Sequence, residues 1–281
     1  MSEGHVRRDR QARAIIYVAL LALIALGLLF PLALKELLSH EAQVSYDTVQ
    51  GLPEGRRVVV LSGAAGSDGQ RQLGLLLGHL LSRRAQVMVI SSDAATAAAT
   101  ESQVRSTLAA GRQRYGEAMV HLGAREGGYE WFESAARGLS AAASGYDHAG
   151  DELALYPLTH RFRTFDDGDL LVGITDNGLV STQDIYRLAS FYGLRALLAV
   201  SGAAVDEGQA LWAEGRIEAV IPGPRATGDY EGLIAGRGAA SRYYTAMTLG
   251  TLFIVALILW AYIGGASSRR RRAINGGNQR G

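Results

Sequence analysis

Two apolar segments, one near each end of the chain, limit most strongly what this sequence can fold into. Ala14–Leu34 and Ala246–Gly265 each have about the 20 residues that a helix needs to cross a bilayer, and neither contains a charge. Four arginines precede the first segment, and four consecutive arginines follow the second. Because Lys and Arg accumulate on the cytoplasmic side of membrane helices, the sequence predicts a two-pass protein of the plasma (inner) membrane. The predicted parts are cytoplasmic basic tails at 1–13 and 266–281, transmembrane helices at 14–34 and 246–265, and an extracytoplasmic domain at 36–245.

A cleaved signal peptide is the alternative for the first apolar segment. Its apolar run is longer than the core of about 7–15 residues that a signal peptide has. No clear small-x-small cleavage site follows it. We therefore expect an uncleaved signal anchor.

The predicted extracytoplasmic domain is acidic and lacks two reactive residue types. Residues 36–245 contain 18 Arg against 25 Asp and Glu, a difference of −7. Clustered cations supply most of the affinity for nucleic acid, so we expect no nucleic-acid partner. The chain has no cysteine, and its single lysine, Lys35, precedes the domain. Disulfides, thiolate metal sites and lysine-dependent catalysis are thereby excluded from the domain.

Short apolar runs alternate with longer helix-forming stretches through the central region. Uninterrupted apolar strands interleaved with helices indicate a mostly parallel sheet that is buried on both faces. The sequence therefore predicts an α/β fold, a Rossmann-like three-layer sandwich. The predicted strands are Arg57–Leu61, Gln86–Ile90, Ala118–Leu122, Asp169–Ile174, Arg195–Val200 and Ile217–Ile221. The predicted helices are Gln70–Arg84, Ala94–Tyr115, Tyr129–Ala143, Thr182–Tyr192 and Asp206–Gly215, and Gly145–Gly168 is predicted as a long loop or a small subdomain.

The turn after the first predicted strand has the glycine spacing of a phosphate-binding loop. Gly63, Gly66 and Gly69 resemble the phosphate turn of extended short-chain dehydrogenases, and Asp93 stands where a ribose-binding acid would follow the second strand. Three features oppose a dinucleotide site. The spacing from glycine to acid is about 30 residues instead of about 20, the helix starts late, and the Tyr-x-x-x-Lys pair of that family needs a lysine. A tight structural turn without a cofactor is the favoured interpretation.

A second turn repeats the first almost residue for residue. Segments 62–70 and 201–209 share six of nine residues, and both run from a strand end into a helix. Either the two halves of the domain are repeats, or the match is a coincidence in a chain rich in Gly and Ala. The sequence leaves both readings open.

Ligands of open parallel sheets bind at the carboxyl ends of the strands. The residues predicted at that rim are small or acidic and include neither Arg nor Lys. A neutral polar group or a cation is therefore the expected ligand, whereas the alternative is that the glycines only close tight turns. The candidate ligand-binding residues are Ser62, Gly63, Gly66, Asp93, Asp176, Asn177, Ser201 and Gly202.

Other motifs of catalysis and metal binding are missing from the sequence. It has no Walker motif, no Gly-x-Ser-x-Gly elbow and no His-Glu-x-x-His. Asp166, Asp167 and Asp169 lack the spacing of a calcium loop and are predicted as a solvated turn. His79 and His121 are predicted as core histidines instead of ligands. We expect no metal site, and no catalytic residue is assigned.

Several Gly-rich segments carry a resemblance. They are 121–128 (HLGAREGG), Asp169–Ile174, 192–194 (YGL) and 223–233 (GPRATGDYEGL). The last resembles a Gly-Leu-x-Gly-Ala-x-x-Tyr-Glu-x-Leu pattern, with Pro224 at the hydrophobic position. In these segments the chain resembles an uncharacterised family of bacterial membrane proteins, in which a Rossmann-like domain lies between two terminal transmembrane helices. The resemblance implies a fold and a topology, and it implies no activity.

Two functions remain open at this point. The first is a non-catalytic binding or assembly component of a membrane complex, with the lipid bilayer and other membrane proteins or a second copy as partners. The second is a membrane-associated enzyme or ligand-binding protein that uses the rim of the sheet. The lack of a legible nucleophile–base pair favours the first.

Overall fold

A computed structural model describes residues 38–63, 66–125, 127–176 and 180–235, with scattered positions in the two terminal segments. The chain divides into two compact units, one of them Lys35–Gly236 and the other made of the terminal segments. Most of both predicted membrane spans lies outside the described residues. Among the residues that are described, no helix is both long and apolar enough to cross a bilayer.

A single sheet of parallel strands forms the centre of the Lys35–Gly236 unit. Its order is β3–β2–β1–β4–β5–β6, and each neighbouring pair is parallel. The predicted parallel sheet is thereby confirmed. Every residue of β4 is buried, which explains why its sequence is an unbroken apolar run. The strands are β1 (Arg57–Ser62), β2 (Gln86–Ser91), β3 (Met119–His121), β4 (Leu170–Thr175), β5 (Arg195–Val200) and β6 (Ala219–Pro222).

Helices cover both faces of the sheet, as the three-layer prediction requires. They are α1 (His40–Gln50), α2 (Ser67–Ser82), α3 (Ala94–Gly111), α4 (Tyr129–Arg137), α5 (Leu139–Ala142), α6 (Pro157–Arg161), α7 (Thr182–Phe191), α8 (Val205–Ala213) and α9 (Gly223–Ala235). One hydrophobic cluster joins the sheet to α1, α2, α3 and α9. A second cluster joins the opposite face to α4, α5, α6, α7 and α8.

Several helix boundaries differ from the prediction for local reasons. Helix α2 begins already at Ser67, because the extended residue Gly66 serves as its N-cap. Helix α3 ends at Gly111, because Arg112 takes a left-handed conformation with a φ of +52°. The predicted helix Tyr129–Ala143 is divided into α4 and α5 by the extended residue Gly138.

The segment Gly145–Gly168, predicted as a loop or a subdomain, packs on the core and covers the outer edge of β3. It forms α6 and two short 3-10 turns, and Leu158 and Phe162 are fully or almost fully buried. Its backbone is tied to β3 because His148 N–H donates to the His121 carbonyl at 2.9 Å. The segment therefore shields a strand edge that would otherwise be open to pairing with another chain.

The opposite edge of the sheet is covered by α1. The Ser45 hydroxyl in that helix donates to the carbonyl oxygen of Val220 in β6 at 2.9 Å, and both residues are fully buried. A side chain thus satisfies a carbonyl group at the edge strand. Both edge strands are therefore protected, each by a different device.

The chain enters and leaves this unit through α1 and α9, which pack against each other. Ser39 N–H, just before α1, donates to Asp229 Oδ2 in α9 at 3.0 Å. The ring of His79 in α2 bonds Gln50 of α1 at 3.1 Å and Tyr230 of α9 at 2.8 Å. Because α2 starts at the carboxyl edge of the sheet and His79 stands near its end, this junction lies toward the amino edge.

The segment 223–233 that carries the family resemblance is part of this junction. Its helix docks through Thr227, which accepts a hydrogen bond from the buried amide of Gln72 at 3.0 Å. Glu231 in the same helix forms an ion pair with Arg71 at 3.0 Å. The polar residues of the motif therefore hold α9 against α2.

Candidate functional site

The candidate site lies where the strand order of the sheet reverses. Strand β1 has β2 on one side and β4 on the other, and the chain proceeds outward from both. In open parallel sheets a ligand crevice forms outside the carboxyl ends of the two strands at this point. Four of the eight residues predicted at the rim meet here.

Gly63 lies where the ends of β1 and β4 approach each other closely. Its N–H donates to the Ile174 carbonyl at 2.7 Å, and an added Cβ would lie 3.3 Å from that same oxygen. A larger side chain would push the end of β1 away from β4. The glycine therefore has a structural reason that needs no ligand.

A carboxylate of the chain itself occupies the amino end of α2. Gly66 N–H donates to Asp176 Oδ2 at 3.2 Å, and a Cβ at Gly66 would lie 3.2 Å from that oxygen. Unpaired N–H groups and the helix dipole make this position favourable for an anion, and nucleotide-binding folds place phosphate there. In this chain the anion is Asp176.

The backbone around Asp176 is fixed by the turn that follows β5. Ser201 N–H donates to the Thr175 carbonyl at 3.1 Å. Gly202 has a φ of +57°, and its added Cβ would lie 3.5 Å from the Asp176 carbonyl. Asn177, predicted beside these residues, lies outside the described residues.

Asp93 is engaged as the N-cap of α3. Its carboxylate accepts hydrogen bonds from Thr96 N at 2.9 Å, Thr96 Oγ1 at 2.7 Å and Ser92 Oγ at 2.8 Å. Burial acts to raise the pKa of this carboxyl, but the hydrogen bonds from Thr96 and Ser92 outweigh it and keep the pKa below its ordinary value. The group that would hold a ribose hydroxyl already has three donors.

Ser62 lies beneath α3 and away from the crevice. Its side chain is fully buried, and its hydroxyl oxygen is 3.0 Å from that of Thr100. The predicted site residues thus separate into two groups. Gly63, Gly66, Asp176 and Gly202 meet at the crevice, whereas Ser62 and Asp93 hold the start of α3.

A buried row of Ser, His and Glu lies behind the rim, and the sequence prediction missed it. His121 Nε2 is 2.9 Å from Ser91 Oγ, and its Nδ1 is 2.9 Å from Glu101 Oε2. The order of the groups is that of a Ser–His–acid triad. Burial lowers the pKa of His121, although the hydrogen bond to Glu101 acts in the opposite direction.

This row lacks the access that a nucleophile needs. Ser91 and His121 are both 0% exposed, and the Ser91 carbonyl accepts from the indole N–H of Trp131 at 3.1 Å. The row instead ties α3 to β2 and β3. His121 is therefore a core histidine, as predicted, and His79 is another, at 2% exposed. The one signal in the sequence for this contact was that Ser91 and His121 each stand near the end of a predicted strand.

The acidic turn before β4 is held by protein contacts. Asp169 forms an ion pair with Arg56 at 2.6 Å and accepts from Arg57 N at 2.9 Å. Asp167 caps a 3-10 turn with Thr164. Across the described part of the chain, no group of three or more His, Cys, Asp or Glu residues is placed to hold a metal ion.

Two surface grooves lie away from the crevice. One, of about 320 Å³, is formed by the carboxyl-terminal ends of α2 and α3 and includes Gly78 and Gly111. The other, of about 350 Å³, lies beside β3 and includes Arg105, Tyr115 and Asp151. Neither contains a predicted rim residue.

Comparison of the chain with protein-family models, curated proteins and solved structures finds no match. The resemblance to a bacterial membrane-protein family therefore stays a prediction from short segments of sequence. The function has to be inferred from the geometry of the sheet and its rim.

Proposed function

We propose that this chain is a membrane-anchored, extracytoplasmic α/β module that serves as a non-catalytic binding or assembly component of a membrane complex. Its partners are the lipid bilayer and other membrane proteins or a second copy of the chain. It needs neither a nucleotide nor a metal for this role.

The contact between Asp176 and Gly66 carries the proposal. A dinucleotide phosphate at the amino end of α2 would have to displace the carboxylate that already accepts the Gly66 N–H at 3.2 Å. Asp93, the second group that a dinucleotide would use, already accepts three hydrogen bonds from Thr96 and Ser92. Both positions that define a nucleotide site in this topology are thus engaged within the chain.

The anchoring half of the proposal is supported by the sequence and by the ends of the folded unit. Two uncharged apolar segments flank the unit, and arginines lie beyond each of them. The unit begins at α1 and ends at α9, and these helices contact each other. Along the chain, the two predicted anchors therefore connect to helices that contact each other.

An enzyme that acts near the membrane is the second candidate, and the Ser91–His121–Glu101 row is the observation that favours it. The full burial of Ser91 and His121 weighs against it, because a substrate carbonyl has no path to Ser91 Oγ. Exposure of the full-length chain to a fluorophosphonate should leave Ser91 unlabelled. Labelling that disappears in Ser91→Ala would replace the non-catalytic proposal with a hydrolase.

The nucleotide question is tested by titration of the purified full-length chain with NAD, NADP and ATP. We expect no micromolar binding of any of the three. Micromolar binding that is lost in Gly63→Val would overturn the proposal, because that variant distorts the turn at the crevice. Gly78→Ala is the matched control, since a Cβ at Gly78 meets nothing within 4 Å.

Topology is tested with a reporter that is active only in the cytoplasm. Gly150 is a suitable insertion point because it is exposed and an added Cβ there meets nothing within 4 Å. The reporter should be silent at Gly150 and active when fused after residue 281. Activity at Gly150 would place the domain in the cytoplasm.

Assembly is tested by native mass spectrometry of the detergent-solubilised full chain. A complex with a second copy or with another membrane protein is expected. A lone monomer from both mild and harsh detergents would contradict the assembly role.

A further inference from the structure

One exposed aromatic side chain, Phe191, and several partly buried ones lie toward the amino edge of the sheet. Phe191, the last residue of α7, is 82% exposed, and its ring contacts that of Tyr192 at 5.0 Å. Trp212 lies in the last turn of α8 and is partly buried. Both helices follow directly on strand ends at the carboxyl edge, so their last turns lie at the opposite, amino edge.

The start of α1 brings this edge close to the first apolar segment along the chain. The ring of His40, the first residue of α1, contacts Trp212 with 5.7 Å between ring centres. Residues 35–39 alone separate His40 from the apolar segment that ends at Leu34. A link of that length spans at most about 20 Å when it is fully extended.

A basic group accompanies the aromatic rings. Arg216 is exposed, and its guanidinium carbon lies 5.7 Å from the centre of the Tyr186 ring. It also pairs with Glu214 at 2.9 Å. Trp and Tyr are enriched where membrane helices meet the headgroups, and an arginine there binds lipid phosphate.

We propose that the amino edge, through Trp212 and Phe191, contacts the headgroup layer of the bilayer. The carboxyl rim with Asp176 then faces away from the membrane, toward partners in the extracytoplasmic space. This inference rests on the anchoring proposed above. It adds which surface of the domain meets lipid and which surface stays free.

The three tryptophans of the chain allow a direct test. Trp131 is 3% exposed in the core, Trp212 is the residue in question, and Trp260 belongs to the second apolar segment. The full-length chain is placed in nanodiscs of phosphatidylcholine and phosphatidylglycerol that carry a nitroxide on the headgroup or deep in the acyl chain. Emission is compared between the wild type, Trp212→Phe and Trp260→Phe, so that each difference reports one tryptophan.

We expect headgroup nitroxide to quench Trp212 and acyl-chain nitroxide to quench Trp260, while the background from Trp131 stays unchanged. Quenching of Trp260 with no more quenching of Trp212 than of Trp131 would overturn the inference and leave the anchoring intact. Failure to quench Trp260 by either lipid would overturn the anchoring and this inference together.

A pair of introduced tryptophans extends the test to both edges of the sheet. Phe191→Trp places a probe at the amino edge, and Ala203→Trp places one at an exposed position of the carboxyl rim. Both are made in the Trp212→Phe background. Headgroup nitroxide should quench the first probe and spare the second. Equal quenching of the two, or the reverse order, would contradict the orientation.

Discussion

Asp176 lies at the amino end of α2, where a helix favours an anion. The helix amino terminus attracts an anion, and a carboxylate from the neighbouring strand end supplies it at 3.2 Å. An internal anion at this position both caps the helix and repels a phosphate.

Removal of this carboxylate should weaken the fold and open the position. Asp176→Ala loses a capping hydrogen bond and a favourable charge, so we expect a loss of about 0.5–2 kcal/mol in unfolding free energy. Inorganic phosphate should then raise the melting temperature of the variant and leave that of the wild type unchanged. Thermal unfolding with and without phosphate measures both effects. Asp176→Asn keeps an acceptor oxygen, so its stability should lie between those of the wild type and Asp176→Ala. Equal stability of all three chains would contradict the capping role.

His79 is the residue whose titration should be visible in the stability of the whole unit. Burial, with a smaller contribution from the Arg83 charge, lowers its pKa from 6.5 to about 4. A depressed pKa means that the folded state holds the neutral ring. Stability is therefore complete above about pH 6.5 and falls by about 3 kcal/mol as the pH drops toward 4.

The comparison of variants isolates this histidine from the carboxylates that titrate in the same range. The unfolding free energy of the wild type, measured by chemical denaturation, should fall more steeply between pH 7.5 and pH 4 than that of His79→Gln. His160→Gln, at an exposed histidine, should follow the wild type. Parallel curves for all three chains would show that His79 is not held neutral by its surroundings.

Among the secondary-structure elements, the strands were predictable, whereas no predicted helix corresponds to α1, α6 or α9. Strand β4 is buried throughout, which is what its unbroken apolar run predicted. Helix α9 contains Gly228 and Gly232 in its interior, and these residues disfavour a helix in isolation. Its helix forms because tertiary contacts such as Tyr230 with His79 compensate, and such contacts leave no local pattern.

The sequence match between the turns after β1 and β5 can be compared with the symmetry of the sheet. A half-to-half repeat in this strand order would relate β1 to β4, and β5 to β2. The matching turns follow β1 and β5, so the match does not reflect the symmetry of the fold. Each turn has its own steric need, since a Cβ at Gly208 would lie 2.9 Å from Val200.

Gly173 shows how closely a helix can approach the sheet. A Cβ at this position in β4 would lie 2.6 Å from Ile185 in α7 and 2.8 Å from Leu198 in β5. Gly173→Ala should therefore push α7 away and lower the unfolding free energy by about 1–3 kcal/mol. Gly78→Ala in α2, where a Cβ has open space, should instead raise it by up to about 1 kcal/mol. Denaturant unfolding of the two variants measures the contrast, and a neutral Gly173→Ala would mean that α7 shifts without cost.

For the molecule as a whole, sequence predicted where a site would lie but not which of its residues touch. The rim follows from strand ends, and strand ends follow from apolar runs. The contact between Gly66 and Asp176, 110 residues apart, depends on β1 and β4 being neighbours. Strand order is set by how whole layers pack, so the sequence could list the rim residues without showing that one of them fills the anion position.

At the scale of the whole molecule, both edges of the sheet are covered. A single substitution should uncover one of them, the edge of β3. Asp147, 3% exposed, accepts from Tyr115 Oη at 3.0 Å, Tyr156 Oη at 2.8 Å and Asp151 N at 2.9 Å, and so ties the 145–168 segment to the side of β3. Asp147→Ala removes the acceptor that these three donors share, and the loss of each such hydrogen bond costs about 0.5–1.5 kcal/mol.

We expect Asp147→Ala to loosen the segment and uncover the edge of β3. Hydrogen exchange should accelerate at residues 115–121 and 145–158, and light scattering on warming should begin at a lower temperature, because an open strand edge pairs with other chains. Asp166→Ala, at an exposed carboxylate of the same segment, is the control that should leave both readouts unchanged. Unchanged exchange at β3 in Asp147→Ala would show that the apolar contacts of Leu158 and Phe162 suffice to keep the edge closed.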